Sequence, residues 1–375
     1  CYNKYFRLYV RIVKIAYVIS TLQRCGPVNV LYDIVSNLGS GIESRIFTLA
    51  SEPVDSRKSD FEKIGCKVKC VCTSRLLSIF VGRRKLQAAL IDYAPDIVHA
   101  HSYRAYILCE NLPYITFATV HNCLYEDYKF TYGRLQAFFM TKKEIRSLNK
   151  FNSVISCSLA NSQYLKDRFD IKSDVVRNGV DQDIYFPLNN NEKEQIRVNK
   201  NISNKTLILI STGGCSIRKQ TNILLDAFSN IRKEMKNIEL HIFGKGDLYE
   251  KLLNRKCEAV VFHGFSNNVT EWLQIADLFI SASKSEGMPL AVLEAINCGC
   301  NCVLSDIPPH QEILNNCTND QVRVVNCENL ALFCSVIKGM LTTKPKKKTS
   351  IFSSKRMARS YLDLYKRELL NRVNI

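Results

Sequence analysis

Short runs rich in β-branched residues recur along the chain, and between them lie stretches whose apolar positions follow helical spacing. In the first half the runs cover 14–20, 44–50, 66–72, 96–100, 114–121 and 153–158. Apolar residues at i, i+3 and i+4 between the first two predict a helix, stopped by Gly39 and Gly41. Polarity then rises from Asn189 to Lys205, which reads as a linker or as the turn region opening a second domain. The alternation restarts with runs at 206–213, 238–246, 259–264, 276–283 and 301–306, and a helix around 223–231. Strand–helix alternation of this kind predicts an α/β chain of parallel βαβ units in two similarly built halves, without a short-period repeat. The expected division is 1–187, 188–350 and a closing helix within 351–375, preceded by a lysine-rich loop at 344–350.

Length supports that division, since 375 residues exceed one ordinary core. A chain 46% hydrophobic and 23% charged is globular rather than disordered. No apolar run approaches the roughly 20 residues that cross a bilayer. The first fourteen residues are basic and aromatic but lack a long apolar stretch and a small-residue cleavage site, so they do not read as a signal peptide. The sequence opens on Cys1, as a truncated or misassigned start would. Sixteen cysteines raise disulfides or zinc, yet neither Cys66/Cys70/Cys72 nor Cys298/Cys300/Cys302 is matched by a second pair or by histidines. Reduced thiols acting as small hydrophobes are expected, which places the protein in the cytoplasm. The net charge of +17 is spread evenly, with 26 basic against 17 acidic residues through Tyr185 and 26 against 18 after it. An even excess excludes a nucleic-acid-binding tail and suits anionic headgroups, phosphate-bearing substrates or plain solvated surface.

The sharpest chemical feature lies at 282–299. A strand ends near Ser283, Glu286 and Gly287 occupy a short loop, and a helix begins near Pro289 with Glu294 in its second turn. Two carboxylates eight positions apart can then share one face beside a helix N-terminus whose free N–H groups suit phosphate. Carboxylates accept the paired hydrogen bonds that sugar and ribose hydroxyls offer. On pattern alone, a helix-start acid and a solvated helix residue explain them too.

Glu286-Gly287-Met288-Pro289-Leu290 followed by Leu293-Glu294-Ala295 resembles the E-x7-E signature of glycosyltransferase family 4. Other segments match in order: Asn178-Gly179-Val180-Asp181 with Phe186-Pro187, Phe243 to Asp247 around Gly244, His263-Gly264-Phe265, and 305–313. The resemblance runs from about Lys14 to about Leu332. It implies the retaining GT-B fold: two Rossmann-like domains facing across a cleft, the first binding acceptor, the second binding nucleotide-sugar, and the closing helix packing back on the first. It implies that Glu286 meets the donor sugar and Glu294 the ribose, with Gly244, Gly287, Met288, Pro289 and Leu290 lining the donor site. Lys219 stands at the family's phosphate-binding lysine, whereas the family arginine would fall at Gly214; Arg218 is the adjacent substitute. His121, at the end of the run 114–121, matches the cleft-facing histidine. Gly26 follows the first run where relatives have paired glycines, although Pro27 has no N–H to donate. Glu286, His121 and Lys219 are thus the catalytic candidates.

Three patterns are set aside. His99-x-His101 lacks a third zinc ligand, Asp181-x-Asp183 belongs to the crossing segment, and the 298–302 cysteines suit tight packing. No metal or cofactor is expected. Residues 133–150 carry Leu135, Phe138, Phe139 and Ile145 among Lys142, Lys143, Arg146 and Lys150, with Arg83-Arg84-Lys85 as a further basic stretch. This fits either a core-facing helix or an amphipathic helix lying on an anionic leaflet. The resulting expectation is a transferase of the cytoplasm or of the inner face of the plasma membrane. It would move a sugar to a lipid-linked or saccharide acceptor in bacterial surface polysaccharide (O-antigen, capsule, exopolysaccharide) synthesis. A nucleotide-sugar epimerase and a basic nucleic-acid-binding module are the competing readings; no recognition motif supports the latter.

Overall fold

The structure is a computed structural model that describes residues 12–72, 75–255, 257–317, 321–343 and 352–373. The opening basic segment and the lysine-rich loop at 344–350 lie outside the described residues. The chain forms two compact units, Cys1–Gly179 with Ser354–Ile375, and Val180–Ser353. The chain passes between units within Asn178-Gly179-Val180-Asp181, eight residues before the boundary read from the sequence, and again at Ser353/Ser354.

The first unit holds seven strands: β1 (Val13–Ile19), β2 (Ile42–Thr48), β3 (Lys67–Cys70), β4 (Ile97–His101), β5 (Ile115–Val120), β6 (Ser153–Ser156) and β7 (Asp174–Val175). They pair in the order β3-β2-β1-β4-β5-β6-β7, parallel at every ladder. The second unit repeats the design with β8 (Leu207–Thr212), β9 (Ile238–Phe243), β10 (Val260–Gly264), β11 (Leu278–Ser281), β12 (Asn301–Ser305) and β13 (Val322–Val325). Their order is β10-β9-β8-β11-β12-β13, again parallel. Both are Rossmann-like sheets, whose strand order reverses direction beside β1 and beside β8.

Helices cover both faces of each sheet, so the central strands are apolar on both sides. Ala16, Val18, Val98, Ala100, Phe117 and Ala118 are fully buried in the first core; Leu209, Leu225, Ile280, Val303, Phe333 and Ile337 are fully buried in the second. The edge strand β3 carries exposed Lys67 and Lys69, which discourage pairing with another chain. At the other edge, Arg367 forks onto both carboxylate oxygens of Asp174 at 3.0 and 2.6 Å. Arg367 belongs to the helix Ser354–Val373, which packs against the helix Gly26–Ser36 and buries Tyr361 and Tyr365.

Two local features differ from the sequence reading. The polar stretch 189–205 contains the helix Asn190–Asn199, opened by a reciprocal capping box in which Asn189 accepts from the Glu192 N–H and Glu192 accepts from the Asn189 N–H. Its charged side chains face solvent, but Arg197 turns inward and donates to the Ile275 carbonyl and to Asp277. The strands β7 and β13 also went unread: β7 is only two residues long, and β13 lies outside the runs singled out.

The helix Arg134–Leu148 carries a buried carboxyl, Glu144, which accepts from the Tyr128 hydroxyl. Burial pushes its pKa up from 4.5 to about 8, only partly opposed by that hydrogen bond. The folded protein therefore keeps a proton that the unfolded chain has lost, so this group costs stability as pH rises through that window. Glu144→Gln removes the term. Unfolding midpoints compared between pH 5 and pH 8 should show the variant gaining on the wild type by up to about 1.4 kcal/mol per pH unit. Parallel profiles would contradict the buried, protonated assignment.

Candidate functional site

In the second unit the order-reversal point lies between β8 and β11, and the loops leaving these strands carry most of the candidates. Ligands of open parallel sheets settle outside the carboxyl ends of strands at such a point. After β11, Ser283, Ser285, Glu286 and Met288 are buried, and the helix Leu290–Asn297 follows with Pro289 as its N-cap. The helix thus starts one residue after the proline.

Glu286 is only 7% exposed, and its two oxygens are held by different cations. The Lys219 ammonium donates to Oε1 at 2.7 Å, and the Arg218 guanidinium donates to Oε2 at 2.9 Å and to the Ser285 carbonyl at 2.6 Å. Burial alone would raise the Glu286 carboxyl. The charges of Lys219 and Arg218, with hydrogen bonds from Lys219 and Ser283, override it and hold the group well below the usual carboxylate range. The carboxylate offsets one of the two cations, so the cluster carries one net positive charge. Glu294 titrates differently. Burial pushes it up to about 7, against a hydrogen bond from Tyr185 and the charge of Lys219. The two glutamates of one helix-and-loop element thus sit in opposite electrostatic settings.

Gly214 explains the missing arginine. Its φ is +91°, and a Cβ there would lie 2.1 Å from the Lys245 carbonyl oxygen. Its N–H donates to the Phe243 carbonyl at 3.1 Å, pinning the loop against the end of β9. Gly244 is the reciprocal partner: with φ +98°, its Cβ would meet the Gly214 nitrogen at 2.6 Å. The two turns pack backbone on backbone, which leaves no room for a side chain at 214. The guanidinium comes instead from Arg218, four residues on.

In the first unit, Gly26 opens the helix Gly26–Ser36 after the loop 20–25 that leaves β1, exposed, with open space where a Cβ would be. His121 follows β5 and meets His101, the last residue of β4, with His101 Nδ1 2.9 Å from His121 Nε2. Burial lowers both imidazoles, His121 to about 4, so both are neutral near pH 7. The pattern His99-x-His101 is thereby resolved. His99 spends Nδ1 on the Tyr365 hydroxyl at 2.6 Å and Nε2 on the Thr119 hydroxyl at 2.8 Å, whereas His101 faces the candidate histidine. Among the described residues no three His, Cys, Asp or Glu side chains gather as a metal site would require. Asp181 and Asp183 form a turn, with the Asp183 N–H on the Asp181 carboxylate, that leads into Tyr185.

Ser283 and Tyr185 were not singled out from sequence as site residues, and His101 was set aside with His99 as an incomplete zinc pair. Ser283 and Tyr185 lie within or beside recognisable segments but reach the glutamates through loop geometry. His101 was legible in principle, since a histidine closing one parallel strand stands beside the neighbouring strand's end.

The backbone contact at Gly214 generates a test. Gly214→Ala should destabilise the protein by at least about 2 kcal/mol, the combined cost of a strained left-handed residue and overpacking. Chemical denaturation measures it; an unchanged midpoint would show that the two glycine turns are not in contact.

The first unit and most of the second match known families. Residues 26–184 match the model of "Glycosyltransferase Family 4" and residues 192–331 that of "Glycosyl transferases group 1". The chain is 24% identical over 314 residues to the O-antigen biosynthesis glycosyltransferase WclY of Escherichia coli, covering 81% of this chain and 83% of WclY. Its fold is similar to that of sucrose-phosphate synthase from Thermosynechococcus elongatus, with a TM-score of 0.76 at 14% identity over 96% of this chain and 100% of the other. It is equally similar to Anabaena HepE, solved with UDP and glucose, with a TM-score of 0.75 at 16% identity over 95% and 100%. Two Rossmann-like sheets and family matches that together span most of the chain lead to one conclusion: this protein is a GT-B glycosyltransferase belonging to glycosyltransferase family 4.

Proposed function

We propose that the protein transfers a sugar, with retention, from a nucleoside-diphosphate sugar to a saccharide or lipid-linked acceptor in bacterial surface polysaccharide synthesis. The observation that carries this reading is the buried Glu286 carboxylate held by Lys219 and Arg218 at the order-reversal point of the second sheet. The names of similar proteins support the polysaccharide setting, WclY among them. HepE, whose structure holds UDP and glucose, supports a nucleotide-sugar donor.

The chemistry follows from charge. When the bond between the sugar's anomeric carbon and the diphosphate breaks, the electron pair and the growing negative charge go to the phosphate oxygen. Lys219 and Arg218 are the cations placed to take that charge, and each has an N–H to turn from Glu286 toward a phosphate. The N-terminus of the helix Leu290–Asn297 adds oriented N–H groups. Glu286, relieved of its cations, is free to accept from sugar hydroxyls, and Glu294 from the ribose. The acceptor hydroxyl attacks from the face the leaving group departs and passes its proton to the leaving phosphate oxygen. No enzymic nucleophile and no metal enter this scheme.

A second observation favours work at a membrane surface. The helix Arg134–Leu148 turns Ala137, Thr141, Glu144 and Leu148 inward and leaves Leu135, Phe138 and Phe139 between 55% and 74% exposed. The core-facing alternative therefore fails for these three, although Ile145 does pack on the core. Beside them a cavity of about 430 Å³ is lined by Phe139, Lys142, Lys143, Arg146 and Lys150, with Glu110 among them. Apolar side chains flanked by cations suit a bilayer of anionic lipid. No helix among the described residues is long and apolar enough to span one.

Three experiments test these readings. A panel of UDP-, GDP- and ADP-sugars, assayed with lipid-linked acceptors, should identify one donor class. Glu286→Ala should lower turnover at least about 100-fold while remaining folded. Full activity in that variant would remove Glu286 from the site. Sedimentation with phosphatidylglycerol vesicles should show binding that weakens with salt and is lost in Phe138→Ser/Phe139→Ser. Equal binding to phosphatidylcholine, or preferential binding to RNA, would overturn the membrane reading.

A further inference from the structure

Outside the donor cluster, the densest set of buried polar groups lies behind His121. His101 is fully buried, its Nδ1 faces His121 Nε2, and its own Nε2 has no hydrogen-bond partner. The two rings stack at 5.2 Å with an interplanar angle of 29°. Strand register fixes this meeting: His101 pairs with Thr119 across the β4–β5 ladder, and His121 is the next residue on the same face of β5.

With both imidazoles neutral, only one proton lies between the facing nitrogens, and there are two ways to place it. If His121 Nε2–H donates, His101 must accept at Nδ1 and carry its proton on Nε2, leaving a buried N–H with nothing to bond. If His101 Nδ1–H donates, His101 Nε2 keeps only a bare lone pair. Either arrangement leaves one N–H without a protein partner: the first places it on fully buried His101, the second on half-buried His121, where solvent or a ligand can reach it, so the second arrangement is favoured. It has a consequence for His121: its proton is then on Nδ1, the nitrogen that has no partner among the described residues.

We propose that His101 is a positioning residue that fixes His121 as the Nδ1–H tautomer, so that His121 offers a hydrogen-bond donor to a ligand oxygen and does not act as a base. The inference rests on the reading of His121 as a ligand-facing residue only in its last step. The tautomer itself is a property of the unliganded protein. His99, Thr119 and Tyr365 support the pair from below: the hydrogen bonds His99–Tyr365 and His99–Thr119 lock the first histidine of the H-x-H pattern and tie β4 to the C-terminal helix. That leaves His101 as the histidine of the pattern whose bonding is directed at His121.

Histidine-selective ¹⁵N NMR on the full-length chain tests this directly, with His121→Gln used to assign the resonances. The expected result is a pyrrole-type signal from His121 Nδ1 and a pyridine-type signal from Nε2. The reverse pattern overturns the proposal. His101→Leu should shift His121 toward the other tautomer, whereas His101→Asn, whose side-chain N–H occupies the place of Nδ1–H, should keep the wild-type pattern. Unchanged His121 signals in a folded His101→Leu protein would overturn it as well. With UDP-glucose as the probe, kcat/KM for transfer or donor hydrolysis should fall about tenfold or more in His101→Leu and recover in His101→Asn. A protein that takes no nucleotide sugar would remove the role of His121 while leaving the tautomer result standing, so the two failures are distinguishable.

Discussion

The second unit is organised around one buried carboxylate that cannot be left alone. Glu286 lies below the surface at the carboxyl end of the sheet, where an isolated negative charge would cost several kcal/mol. Lys219 and Arg218 each take one of its oxygens, so the charge is buried only as part of a cationic cluster. The arrangement joins the loop after β8 to the loop after β11, and it keeps two cations near the place where a phosphate would arrive. In the proposed reaction, structural stability and donor chemistry draw on the same three side chains.

The cost of this arrangement appears in the glycines. The turns at Gly214 and Gly244 touch through their backbones, and this contact leaves no room for a side chain where the family resemblance would place an arginine. Arg218 reaches Glu286 because the loop between β8 and the helix Thr221–Glu234 folds back, with the Arg218 carbonyl receiving the Lys284 N–H at 2.8 Å.

Much of this was legible in the sequence, and the reasons differ by level. The strands were readable because buried parallel strands are continuous apolar runs, and the α/β class follows from their alternation with helices. The loop-and-helix placement of Glu286 and Glu294 was readable because a proline marks the helix start. What was not legible depends on through-space meetings. Nothing in the spacing shows that Arg218 reaches back to Glu286, that Tyr185 bonds Glu294, or that His101 and not His99 faces His121. The polar stretch at 189–205 was misread for a different reason: its helix is held by a capping box and one inward arginine, not by an apolar face.

The most direct measurement is a crystal structure with UDP bound. The account predicts the diphosphate at the carboxyl ends of β8 and β11, with Lys219 Nζ and Arg218 turned from Glu286 onto its oxygens and Glu294 on the ribose hydroxyls. UDP bound elsewhere, with Glu286 still clamped by both cations, would contradict it.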